Sequence, residues 1–345
     1  MKRKAGALLQ VAFGVGLIGI LFLRMHRRGE LGNLLIAFKD AAGNWPFIIG
    51  SIACFFVCIV ICSCRWQLLL EAQGIQLGFV RIVELYFIGN FFNSFMPGAT
   101  SGDILKAYYV ARQAVGKRTE AVSTVFIDRI IGLVALIALT VVVMLIRLRF
   151  FLAYPQTRVA IVFNSVLLAG TIVGAALVFR RNSLERSGWF RRLENRTGVG
   201  SILTRAYTAF STCVRSSRVL TATFILSLAN HVCFIGSSYM MARALDLPLS
   251  YGQCLTVFPI INSVAALPIT PGGLGAREAA VVFLLGTMGI SETIAFSLSL
   301  LIYAMILAWS VVGGVIYLLF VIRVGKPSVV ELATGNKDTQ GSQPV

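Results

Sequence analysis

The sequence predicts an all-α, polytopic membrane fold with six clear transmembrane helices and two broken or re-entrant helical segments that invite reading as an inverted repeat. Three observations lead there. Of 345 residues, 57% are hydrophobic and 13% charged, whereas a soluble domain is about half apolar and a quarter charged. The apolar residues fall in runs long enough to cross a hydrocarbon core of about 30 Å. Two further apolar stretches are interrupted by Gly, Pro and Asn, and in lipid such breaks survive only where protein or a polar cavity satisfies the backbone.

Taken in order, residues 1–23 have the basic start and apolar middle of a signal peptide. Residues 24–29 offer no small-residue cleavage site, so 5–23 reads as a retained first helix. The other clear spans are 46–64, 130–146, 159–179, 219–242 and 293–322. Together they define one integral membrane domain, 1–324, followed by a polar tail, 325–345, whose composition predicts disorder. No soluble catalytic domain is expected.

The formal charge of +17 comes from Lys and Arg placed mainly in loops and tails, where anionic lipid headgroups rather than nucleic acid are the nearest partner. Lys2, Arg3 and Lys4 precede the first span, nine arginines lie in the basic connection 180–218, and Arg323 and Lys326 follow the last span. Positive-inside counting puts all three in the cytoplasm of a cell membrane, plasma or inner, with both termini cytoplasmic. Arg24, Arg27, Arg28 and Lys39 then fall outside and count against that orientation. Trp189, Phe190, Leu193 and Val199 give the 180–218 connection the pattern of a surface helix, although a solvated anchor explains it equally.

Cys54, Cys58 and Cys62 are spaced by four and share one face of the second span. Small side chains for close helix packing account for them. No accompanying His or carboxylate makes a metal set, so no metal or cofactor is expected. Trp66 after Arg65 has the form of an interfacial anchor.

The broken segments are 79–106 and 254–288. The first carries Asn93-Ser94, Pro97-Gly98 and Gly102-Asp103, with Lys106 one turn on. The second carries Asn262-Ser263, Pro268, Pro271-Gly272-Gly273, Gly275 and Arg277-Glu278. Both run Asn-Ser, Pro-Gly, then glycine and an acid, which duplication and chance each explain. Proline removes a donor and glycine permits sharp turns, so each segment predicts a hairpin or broken helix. Paired broken segments in two halves point to a midplane binding site in transporters.

Ionisable groups in apolar segments face the interior, pair, or line a pathway. Here they are Asp103, Lys106, Arg277, Glu278, Glu84, and Asp128 with Arg129 at the opening of span 130–146. Adjacent opposite charges do not face each other on a helix, so pairing between segments, as of Asp103 or Asp128 with Arg129 or Arg277, is expected. Arginines so placed suit a phosphate, while a buried ion-pair network fixing helix register is the competing explanation. His231, beside Asn230, is a minor candidate for a proton relay and fits a packing histidine better.

These motifs, together with Asp128-Arg129-Ile-Ile-Gly132 and the run Pro271-Gly272-Gly273-Leu-Gly275-Ala-Arg277-Glu278, resemble the lysylphosphatidylglycerol synthase transmembrane region family, the flippase-like domain proteins. The resemblance covers about residues 8–322. It implies a helical domain that, in fused members, translocates an aminoacylated phospholipid made by a soluble synthase domain; this chain would be a stand-alone member without that domain. What carries over is translocation architecture at Asp103, Asp128, Arg129, Arg277 and Glu278, with Asn93 and Asn262 beside them, and not the lysylated substrate. Gly98-Ala-Thr-Ser-Gly102 departs from two adjacent glycines before the acid. The expectation is a non-enzymatic lipid translocator acting on an anionic headgroup. An intramembrane lipid-modifying enzyme, or a membrane partner of an envelope-lipid synthesis enzyme, are the alternatives.

Overall fold

The computed structural model describes residues 18–21, 23, 26–27, 31–96, 101–114, 116–153, 155–179, 216–267 and 273–324. Residues 5–17 of the expected first helix, Pro97, Gly98, Pro268, Pro271, Gly272, most of the basic connection and the tail from 325 lie outside them. Among the described residues the regular structure is helical: α1 (Leu31–Gly43), α2 (Trp45–Ala72), α3 (Phe79–Phe95), α4 (Ser101–Gln113), α5 (Arg118–Ile146), α6 (Leu148–Ala153), α7 (Pro155–Phe179), α8 (Ser217–Ala244), α9 (Tyr251–Ala266), α10 (Ala276–Gly286) and α11 (Glu292–Val324).

Four helices, α2, α5, α8 and α11, are long and apolar enough to cross a membrane. They contain four of the six expected spans. The fifth, 159–179, falls in α7, whose described apolar part is the shorter Thr157–Val173. Of the first, Leu21 packs on Leu34 and Phe296. Six full spans are therefore more than the described residues establish. The helix expected from 130 starts at Arg118, which moves Asp128 and Arg129 from a helix opening to mid-helix.

Both broken segments are helix, break, helix. Gly102 needs its hydrogen side chain, because a Cβ there would lie 1.8 Å from the Gly89 carbonyl oxygen. That contact draws α4 back along α3 as a hairpin. In the second segment the chain turns through Gly273 and Gly275, at φ 74° and 81°, a region glycine enters without the Cβ penalty.

The architecture repeats. Helices α2 and α8 are both 28 residues long, α3 and α9 are 17 and 16, α4 and α10 are 13 and 11, and α5 and α11 are 29 and 33. Packing repeats with length: α3 lies on α11 and α4 on α5, while α9 lies on α5 and α10 on α11.

Helices α2 and α8 run antiparallel at the most extensive contact in the molecule. Ser51 Oγ donates to the Ser237 carbonyl at 2.8 Å, Cys54 and Cys233 thiols meet at 3.2 Å, and Cys58 approaches the Asn230 carbonyl at 3.7 Å. Small residues let these backbones approach closely, as the Cys54 and Cys58 spacing implies. Cys58 and Asn230 are each the fourteenth residue of their helix. Equivalent positions facing each other across an antiparallel pair are what a two-fold axis between halves requires, so the repeat is inverted.

The hairpins consequently enter from opposite faces. The first follows the end of α2, where Arg81 stacks over Phe320 near the end of α11. The second follows the end of α8, where the Asn44 amide at the start of α2 donates to the Ala244 carbonyl at 3.0 Å. Helix α11 meets both: Ser310 bonds Ser94 of the first hairpin at 2.8 Å, and Tyr303 lies under Arg277 of the second. Seven residues, about 10 Å of helix, separate the contacts. The two hairpins thus reach α11 about two turns apart.

Candidate functional site

Three polar clusters lie at or beside the breaks. In the first, Asn93 Oδ1 accepts the Gly102 N–H at 2.9 Å, satisfying a donor at the start of α4 that has no intrahelical partner. The next residue, Asp103, pairs across to Arg129 of α5. The pair is asymmetric: the Asp103 side chain is 11% exposed and that of Arg129 44%. This is the expected pairing between segments.

The second cluster joins five helices. Arg65 of α2 reaches Asp128 of α5 through Nε at 2.7 Å and Ser227 of α8 through Nη1 at 2.9 Å. Tyr86 of α3 donates its hydroxyl to the other Asp128 oxygen at 3.0 Å. Lys106 of α4 lies over the Tyr86 ring at 3.7 Å and the Trp66 ring at 4.2 Å, and it makes no ion pair among the described residues. The aromatic faces offset part of the cost of burying this ammonium. The interfacial reading of Arg65 and Trp66 is wrong: they are 5% and 0% exposed, because α2 continues to Ala72. The Trp66 indole N–H donates to Thr124 at 3.0 Å.

The third cluster corrects another expectation. Arg277 and Glu278, adjacent in sequence, do pair, at 2.9 Å. Glu278 turns back over the start of α10, where its Oε2 accepts the Gly275 N–H at 2.5 Å, leaving Oε1 for Arg277 and for Ser299 of α11 at 3.1 Å. The helix-facing rule fails because these residues occupy the first turn, where a side chain can reach back past the helix end. The Arg277 guanidinium also lies 4.9 Å from the Tyr303 ring centroid.

The first and third clusters are related by the repeat. Asp103 and Glu278 are each the third residue of their half-helix, and Arg129 and Tyr303 each the twelfth of the following long helix. In one half the long helix supplies the cation, and Gly102 fills the position before the acid. In the other, Arg277 fills that position and an aromatic ring lies opposite. The tight Gly102–Gly89 contact leaves no room for an arginine there.

The remaining candidates separate. His231 Nε2 contacts the Gly132 carbonyl at 3.0 Å, tying α8 to α5 as a packing histidine does. Glu84 pairs with Arg81 at 2.8 Å. The Asn262 amide nitrogen is buried with no partner. Arg277 forms no bond to the Asp103 or Asp128 side of the molecule, so the charges form separate clusters rather than one network. Sequence reasoning missed Arg65, Tyr86, Ser227, Ser299 and Tyr303. A lone arginine followed by more apolar helix was the available signal for the first.

Residues 8–322 match the family described as Lysylphosphatidylglycerol synthase TM region. A UPF0104 membrane protein of Pyrococcus horikoshii is 24% identical over 292 residues, covering 79% of this chain and 86% of that protein. UPF0104 membrane proteins of Methanothermobacter thermautotrophicus are 26% identical over 286 residues, covering 75% and 78% of the two chains, and 23% identical over 315, covering 85% and 88%. With a match spanning nearly its whole length, the chain belongs to the lysylphosphatidylglycerol synthase TM region family.

Proposed function

We propose that this protein is a lipid translocator that passes a phosphate-bearing headgroup between leaflets while the acyl chains stay in the bilayer. The observation that carries the reading is the arrangement of the two hairpins: they enter from opposite faces, pack on the same two spanning helices, α5 and α11, and hold buried Arg, Lys, Asp and Glu side chains near their tips. Maintaining such charges in an apolar environment is costly, and a route for an anionic headgroup gives them a use. The carrier role, rather than lipid chemistry, is part of the proposal. So is a cell-membrane orientation in which the face bearing the ends of α2 and α11 is cytoplasmic. Residues 180–218, Arg323 and Lys326 supply positive charge to that face.

The test is translocation of fluorescent phosphatidylglycerol in proteoliposomes of purified protein. Wild type is expected to move the lipid. Arg277→Lys, which keeps the charge and loses the planar fork that grips phosphate in two places, is expected to lower the rate about tenfold, the effect of about 1.4 kcal/mol, with the melting temperature retained. Wild-type protein that leaves the lipid in place overturns the translocator; Arg277→Lys at full rate overturns the site.

A further inference from the structure

Asn90 and Asn262 are each the twelfth residue of the first half-helix of a hairpin, α3 and α9. Both have amide nitrogens shielded from solvent with no hydrogen-bond partner. Leaving a buried amide donor unpartnered costs stability, and the same cost recurs at equivalent positions of the two halves. Their surroundings indicate where they point. Tyr86, one turn before Asn90, bonds Asp128 of α5, and Ser94, one turn after, bonds Ser310 of α11. Asn90 therefore faces between α5 and α11. The two-fold relation exchanges α5 with α11, so Asn262 faces the same interval from the other hairpin; its neighbour Ser263 approaches Thr140 of α5 at 3.5 Å.

We infer that Asn90 and Asn262 are a symmetry-related pair of ligand-binding amides that donate to phosphoryl oxygens as the headgroup passes between the hairpins. The inference rests on the translocator reading and adds to it the donors and a division of labour. Neutral amides bind an oxygen without holding it as tightly as a charged pair would, which suits release on the far side. Lys106, which makes no ion pair among the described residues, lies over the ring of Tyr86, one turn before Asn90. Each amide serves the face from which its hairpin enters, so one substitution is expected to weaken entry from one leaflet more than from the other.

Thermal melting in detergent tests this with three probes: six-carbon-chain phosphatidylglycerol, the matching diacylglycerol without phosphate, and inorganic phosphate. The lipid is expected to raise the melting temperature of wild type and the diacylglycerol is not. Stabilisation by inorganic phosphate as well supports phosphoryl recognition without a requirement for the lipid's tails, and its absence supports recognition of the lipid form. Asn90→Leu and Asn262→Leu are each expected to weaken the lipid's apparent affinity about 10-fold, as loss of about 1.4 kcal/mol does, with no fall in unliganded melting temperature. Asn90→Ala and Asn262→Ala repeat the measurement should leucine not fit. Equal stabilisation by diacylglycerol, unchanged affinity in the variants, no stabilisation of wild type, or failure of both substitutions to fold overturns the assignment. A wild type that binds through these amides and moves no lipid overturns the translocator alone; one that moves lipid at the same rate in the variants overturns the amides alone.

Discussion

The Arg65 guanidinium lies 2.7 Å from the Asp128 carboxylate, with both side chains almost wholly buried, and Tyr86 and Ser227 complete the hydrogen bonding around them. Removing one partner leaves a buried charge uncompensated, at a cost of about 3–5 kcal/mol. Asp128→Asn is therefore expected to lower the melting temperature strongly. The double substitution Arg65→Met with Asp128→Leu, which removes both charges, is expected to recover most of the loss. Thermal melting of the two variants in one detergent checks this, and a double variant less stable than Asp128→Asn would count against the pair as a structural tie.

The first hairpin closes through glycine. Gly102→Ala puts a methyl group 1.8 Å from the Gly89 carbonyl oxygen, backbone that cannot swing aside, whereas Gly286→Ala meets nothing within 4 Å. The first substitution is expected to cost several kcal/mol, at the upper end of what single changes do, and the second to be neutral or mildly stabilising. Yield of monodisperse protein and melting temperature distinguish them.

Membrane residence, the four long helices and the two breaks were legible because each rests on local composition. Asp103 with Arg129 was also legible, as a pairing between segments. The Arg65–Asp128 tie was not: nothing local to Arg65 says that α2 runs two further turns and carries the charge inward, and only the packing of α2 against α5 and α8 does so. Arg277 with Glu278 departs from expectation for the opposite reason. Adjacent residues do not face each other in a helix interior, but these two stand at a helix start, where Glu278 bends back to Gly275. The inverted repeat, hinted at by Asn93-Ser94 and Asn262-Ser263, is registered by Asn90 with Asn262 instead, since each of these is the twelfth residue of its half-helix, α3 or α9.

The Glu278 carboxylate makes contacts of two kinds, with the Gly275 N–H on one oxygen and with Arg277 and Ser299 on the other. Glu278→Gln keeps the shape and one acceptor oxygen but removes the charge. Arg277 is then released from its intramolecular partner while remaining buried. The expected result is slower lipid movement together with lower stability, and Ser299→Ala, which removes one hydrogen bond, is expected to cost about 1 kcal/mol and leave movement nearly intact. Parallel melting and translocation measurements separate the two.

The two halves meet at α2 and α8, where the Cys54 and Cys233 thiols are 3.2 Å apart and each also approaches the other residue's carbonyl. Movement of one half against the other requires this seam to slide or rock. A disulfide between these cysteines, formed with an added lipid-soluble quinone that accepts the two electrons and two protons the thiols release, would hold the seam in the observed register. If translocation depends on that motion, oxidation is expected to slow lipid movement and reduction by a thiol reagent to restore it, with Cys54→Ser unaffected by either treatment. Transport that continues unchanged in protein shown by mass spectrometry to carry the Cys54–Cys233 bond would place the moving parts elsewhere, in the hairpins alone.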